Sequence, residues 1–133
     1  MTASARLRGV DTESIVDTFD IAVVQTGSRI GAWQQNIDAV RAEVQSLAAG
    51  GSKLIVLPEL FASGYDLDSI ETMAESVPGR TSTALGALAA ETDTVLVTAI
   101  AFRDADGVVF DSSLVVGPGG LIALGHKRRA DCW

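Results

Sequence analysis

Two kinds of apolar spacing alternate along the chain. In FDIAVVQT (Phe19–Thr26), Ile21, Val23 and Val24 crowd into a short β-prone run that ends at the turn-prone GSRIG, which predicts a strand. In the following AWQQNIDAVRAEVQSLAAGG, Trp33, Ile37, Val40, Val44 and Leu47 recur at intervals of three and four, the stripe of an amphipathic helix closed by Gly50-Gly51. KLIVLPEL (Lys53–Leu60) is apolar at consecutive positions, which predicts a strand covered on both faces, as in a parallel sheet with crossover helices. RTSTALGALAAETD predicts a second helix, capped by Thr81 or Ser82, with Leu85, Leu88 and Ala89 turned inward. TVLVTAIAFRD is a third strand, and the turns at Ala105-Asp106-Gly107 and Pro118-Gly119-Gly120 carry it through VVFDSSLVVG into LIALG as a meander. Strand–helix–strand units cross over with a fixed hand, so this order predicts an α/β chain: a mixed sheet with helices on at least one face. Residues 1–17 carry no apolar periodicity and are expected to form a flexible tail, because such a segment buries too little surface to offset its ordering entropy.

Composition narrows the class without changing the elements. At 133 residues the chain fits one domain with a real core, here residues 18–133. No run reaches the ~18 apolar residues of a membrane span, and the mixed first residues lack the apolar centre of a secretory signal, so no membrane contact and a cytoplasmic location are expected. Cys132 is the single cysteine, which excludes an internal disulfide and a metal site built on several thiolates. The net charge of -7 repels phosphate backbones, and the basic run HKRR at 126–129 is too short to form a groove, so nucleic acid is not an expected partner. Gly27 and Gly31 after the first strand do not make a phosphate-binding glycine loop, and a nucleotide site is the last of the readings.

The chemistry concentrates at Glu59. It follows the apolar strand directly, behind Pro58 and ahead of Leu60, Phe61 and the Gly64-Tyr65 turn. A carboxylate at a strand end is ordinarily a solvated loop residue. In open α/β sheets, however, the functional crevice lies at the carboxyl ends of the strands, and a carboxylate partly desolvated there gains proton affinity and can act as a general base.

LIVLPELFASGY resembles the glutamate motif of the carbon–nitrogen hydrolase (nitrilase) superfamily, in which a strand runs into Pro-Glu and an aromatic and Gly-Tyr follow. IAVVQT, the long helix before the motif, and FDSSLVVGPGGLIALGHKRR are similar in order to further parts of that family, the last to an Asn-Ser strand, a Pro-x-Gly turn and a Tyr-Arg-Lys motif. The resemblance runs from Phe19 to Arg129. It implies part of a four-layer αββα sandwich and a Glu-Lys-Cys triad that hydrolyses a nitrile or amide, the cysteine attacking carbon, the glutamate moving the proton and the lysine stabilising the oxyanion. Carried over, Glu59 is the base. The lysine slot falls on Arg128 or Arg129 by simple overlay, and Lys127, the one lysine of the segment, is preferred because a compact ammonium suits a developing oxyanion and guanidinium is not its equivalent.

The chain departs from the pattern in several places. Asp111 stands where the family has Asn, and His126 or Lys127 where it has an aromatic residue. His126 alone is expected to be a surface or hairpin histidine rather than a catalyst. The family's nucleophile lies some tens of residues past the lysine, so the domain is expected to stop before its catalytic cysteine, with Cys132 not filling that role. Tyr65 is either one wall of a substrate entrance or a core aromatic with its hydroxyl outward. A small amide or nitrile is the implied substrate, with no metal or organic cofactor. A homo-oligomer is expected through an exposed apolar sheet face. The competing function is a non-catalytic remnant or interaction module on the same scaffold.

Overall fold

The computed structural model describes residues 2–5 and 18–127. Its centre is a single sheet of six strands whose spatial order is the chain order: β1 (Thr2–Ala5), β2 (Asp20–Val24), β3 (Ser52–Glu59), β4 (Val95–Arg103), β5 (Val109–Gly117) and β6 (Gly120–His126). β2, β3 and β4 run parallel, while β4, β5 and β6 form the antiparallel meander that the two turn signals announced. β1 pairs antiparallel along the outer side of β2. It falls inside the segment expected to be a tail. An edge strand gains its partners through backbone N–H and C=O groups, which require no apolar periodicity; residues 6–17 lie outside the described residues.

Helix α1 (Trp33–Ala49) links β2 to β3, a one-turn helix α2 (Ile70–Met73) follows β3, and α3 (Arg80–Thr92) leads into β4. The apolar stripe of α1 does what its spacing requires: Ile37, Val40 and Val44 are buried, with Trp33 and Leu47 half-buried at its ends. Leu85, Leu88 and Ala89 of α3 join them over Ala22, Val24, Ile55, Leu57, Leu96, Ile100, Leu114 and Val116 of the sheet. Each such large aliphatic side chain taken fully from water contributes about 1.5–3 kcal/mol before entropy is counted. The indole N–H of Trp33 donates to the Thr81 hydroxyl at 2.9 Å, tying the two helix starts together.

The cap of α3 differs from expectation. Gly79, rather than Thr81 or Ser82, is the N-cap, because a Cβ at residue 79 would stand 2.2 Å from the Ser76 carbonyl oxygen. Ser82 instead accepts the Gly79 N–H at 2.8 Å, and the Glu75 carboxylate accepts the Thr81 N–H at 3.0 Å, an anion placed at the positive end of the helix.

The core is one-sided. Ile55 and Leu57 of β3 are buried beneath the helices, but Leu54 and Val56, which point the other way, are half-exposed, as are Val97 and Val115 beside them. The expected cover on both faces of β3 is therefore present on one face only among the described residues. That open face carries the functional groups.

Candidate active site

Alternation along β3 would turn Glu59 toward the helices with Ile55 and Leu57. A bulge prevents it. Val56 pairs with Val97 but Glu59 pairs with Ala99, so three steps on β3 match two on β4 and Glu59 is rotated onto the open face. Pro58 sits in the irregular stretch, where its missing N–H is no loss to the ladder. Its carbonyl accepts the Thr98 hydroxyl at 2.8 Å, and the Leu60 N–H donates to the Ala99 carbonyl at 2.9 Å, with Leu60 held at φ 53°.

The loop behind Glu59 is clamped from α1. Asn36 is buried on the helical stripe; its Oδ1 accepts the Arg29 N–H at 2.9 Å, while its Nδ2 donates to the carbonyls of Arg29 at 2.8 Å and Ala62 at 3.2 Å. The Gly31 N–H adds a bond to the Ser63 carbonyl at 2.9 Å. Both loops at the ends of β2 and β3 are thereby fixed to one another. Sequence reading passed over Asn36, although an amide on an otherwise apolar stripe is the signal that could have marked it.

The register continues the row across the sheet: Glu59 pairs with Ala99, Ala99 with Ser113, and Ser113 with Gly125. Three small residues side by side leave room above them. They form the floor of a hollow of about 390 Å³ whose sides are Glu59, Asp111, His126 and Lys127. Asp111 lies two residues before Ser113 and so faces the same way. Lys127 follows β6, its N–H donating to the Asp111 carbonyl at 2.9 Å and its Nζ 3.6 Å from Asp111 Oδ2. The Asp111 side chain is 7% exposed and that of Lys127 45%.

The proton affinity of Glu59 is raised above its ordinary value, first by a hydrogen bond with Asp111, then by partial burial and by the charge of Asp111, with the Lys127 charge opposing. Burial alone was the expected cause; a second carboxyl is the larger one.

Glu59 and Lys127 are thus brought together. Tyr65 is not: the residue is 53% exposed and stands outside the lining of this hollow. His126 is exposed, as expected, and is also held by neighbours. Its ring stacks on Phe102 and Phe110 at centroid distances of 5.0 and 4.9 Å, and its Nδ1 lies 2.8 Å from the Ser112 hydroxyl. Arg128, Arg129 and Cys132 lie outside the described residues. Among the described residues, no group of three or more His, Cys, Asp or Glu side chains is arranged to hold a metal ion, and no helix is long and apolar enough to cross a membrane.

Comparison with known proteins bears on the family and the fold. The carbon-nitrogen hydrolase family profile matches residues 20–133. A nitrilase of Pyrococcus abyssi is 34% identical over 111 residues, which is 80% of this chain and 42% of that protein. The omega-amidase NIT2 of Danio rerio is 31% identical over 83% of this chain and 39% of its own length. The chain therefore spans about two fifths of the curated relatives it matches. Among solved structures, a CN-hydrolase superfamily protein of Xanthomonas campestris, bearing an arsenic adduct in its active site, superposes with a TM-score of 0.75 at 31% identity over 84% of this chain and 41% of that one. An amidase of Nesterenkonia shares the fold, with a TM-score of 0.73 at 21% identity over 82% of this chain and 42% of that one.

Proposed function

The chain belongs to the carbon–nitrogen hydrolase family, and from that premise we propose that it carries the base and the cation of a site that hydrolyses a small amide or nitrile. The observation that carries the reading is the convergence of Glu59 and Lys127, from separate ends of the sheet sequence, on one hollow floored by Ala99, Ser113 and Gly125. In the chemistry this supports, a thiol gives its proton to Glu59 and its sulfur bonds to the amide or nitrile carbon. The Lys127 ammonium stabilises the negative charge that builds on the former carbonyl oxygen or nitrile nitrogen. For an amide, the proton held at Glu59 then passes to the departing nitrogen, and the carboxylate is free to activate the water that splits the thioester. The relatives, by name a nitrilase and an omega-amidase, support a nitrile or an amide as the substrate. A cytoplasmic homo-oligomer is part of the same reading.

Among the described residues the site holds base and cation but no thiol, and members of such a triad act as a unit. The 133-residue chain is therefore expected to bind short aliphatic amides at the hollow without turning them over. Amide titration followed by backbone NMR should move the signals of Ser113 and Gly125, and Glu59→Gln should weaken the response. Shifts confined to other surfaces would overturn the placement of the site. Turnover abolished by both Cys132→Ser and Glu59→Gln would make Cys132 the nucleophile. The second reading, a non-catalytic module, is favoured by the uncovered sheet face and predicts no amide response at all.

A further inference from the structure

Two consecutive residues at the end of β6 are gripped by three consecutive residues of β5, from opposite faces of the sheet. Phe110 and Ser112 reach the helix side, where Ser112 is buried beside its strand partner Ile100. There the His126 ring stacks on Phe110 at 4.9 Å, and its Nδ1 lies 2.8 Å from the Ser112 hydroxyl. Asp111, between them, faces the hollow and holds the next residue twice. Its carbonyl accepts the Lys127 N–H at 2.9 Å, and its Oδ2 lies 3.6 Å from the Lys127 Nζ. The two partners differ in freedom. The Asp111 side chain is 7% exposed on an interior strand, whereas that of Lys127 is 45% exposed and departs from a residue just past the end of β6. A lysine ammonium is a point charge on a flexible four-carbon stem, so a site that requires it in one place requires a fixed group to hold it.

We propose that Asp111 is a positioning residue: its carboxylate holds the Lys127 ammonium at the rim of the hollow, while His126, anchored on the other face, fixes the point from which the Lys127 side chain departs. This rests on the reading of Lys127 as the cation of the site. Asp111 then acts on the substrate through Lys127. Exposed lysine–carboxylate pairs hold their partners loosely, because water and salt screen them and two long side chains lose entropy on ordering. Lys53 and Asp93 form such a pair, 2.8 Å apart with side chains 56% and 79% exposed. Asp111 escapes part of that penalty. Already enclosed on its strand, it has little freedom left to lose, and only the lysine has to be ordered.

Lys53 and Lys127 are the two lysines of the chain, so carbon NMR of the full chain labelled at the lysine Cε gives one signal for each and carries its own control. Relaxation of these methylenes tests the proposal without any turnover. Lys127 is expected to be the more ordered of the two, although its ion pair is the longer. Asp111→Asn keeps the size of the side chain and the main-chain carbonyl but removes the charge. The order of Lys127 Cε should then fall to the level of Lys53, while hydrogen exchange of the Lys127 N–H is unchanged, a combination that a merely structural role of Asp111 would not produce. A Lys127 no more ordered than Lys53 in the unmodified chain would overturn the proposal, whether or not the variant folds. So would a folded Asp111→Asn in which Lys127 stays ordered. Failure of the hydrolase reading is separate: it shows as a missing amide response at Ser113 and Gly125, and a Lys127 released by Asp111→Asn would stand without it.

Discussion

A Cβ on residue 64 would stand 2.6 Å from the Ile30 Cα, and Gly64 has φ 81°, a conformation that side chains resist. Gly64→Ala therefore forces both a strained backbone and a displaced neighbour, and it should lower stability by roughly 1–3 kcal/mol in denaturant unfolding. A fall below about 0.5 kcal/mol, the ordinary range of surface changes, would show that the loop yields easily. At Glu59 the same scale of reasoning gives a pH dependence. The folded protein holds this proton more tightly than the unfolded chain, whose Glu titrates near the ordinary value of 4.5. Between that value and the raised one, the folded state binds more protons, so stability falls as pH rises through the window. Asp111→Asn removes the largest cause of the shift and should flatten that slope. Thermal unfolding across the window decides it, and an equal slope in both proteins would refute the assignment.

Elements were the most readable level of this sequence, and the reason is periodicity. Trp33, Ile37, Val40, Val44 and Leu47 fixed α1, and the apolar runs around Ile55, Leu96 and Leu114 fixed the strands, because spacing alone decides which face can be buried. What stayed hidden were departures from period. The bulge at Leu57-Pro58 changes the face on which Glu59 emerges, and no count of alternate positions foretells it, although Pro58 within a central strand marks the place. The floor of the hollow was equally silent, since Ala99, Ser113 and Gly125 become neighbours only through strand register. Glu59 and Lys127 could be named from motif resemblance, but Asp111, noted only as a substitution, could not be seen as the partner of both. Asn36 shows how an element fixes the site from a distance. Asn36→Ala leaves the buried Ala62 carbonyl and the part-buried Arg29 N–H and carbonyl without their partner, and at about 1 kcal/mol or more for a buried group left unpaired, less where water reaches it, the expected loss is roughly 1–3 kcal/mol. Amide exchange at Gly31 should quicken with it. Unchanged protection there would mean that the two loops are held without the amide.

For the whole molecule, the decisive feature is that one sheet face is packed and the other is open. Ile55 is 0% exposed under the helices, while its neighbour Val56 faces away and is half-exposed. If the packed face alone supplies the core, Ile55→Ala should cost about 2–5 kcal/mol, the range for deleting a buried large aliphatic side chain. Val56→Ala should then cost under about 1 kcal/mol, because water already reaches the methyl groups it removes. Denaturant midpoints of the two variants at low protein concentration give the comparison. Comparable losses at both positions would mean that the open face is covered in solution, and the covering body would then reveal itself through mass action. A second copy of the chain would make the Val56→Ala penalty grow with protein concentration, since association adds stability only to the state that binds. A penalty large at both positions and independent of concentration would refute the one-sided core.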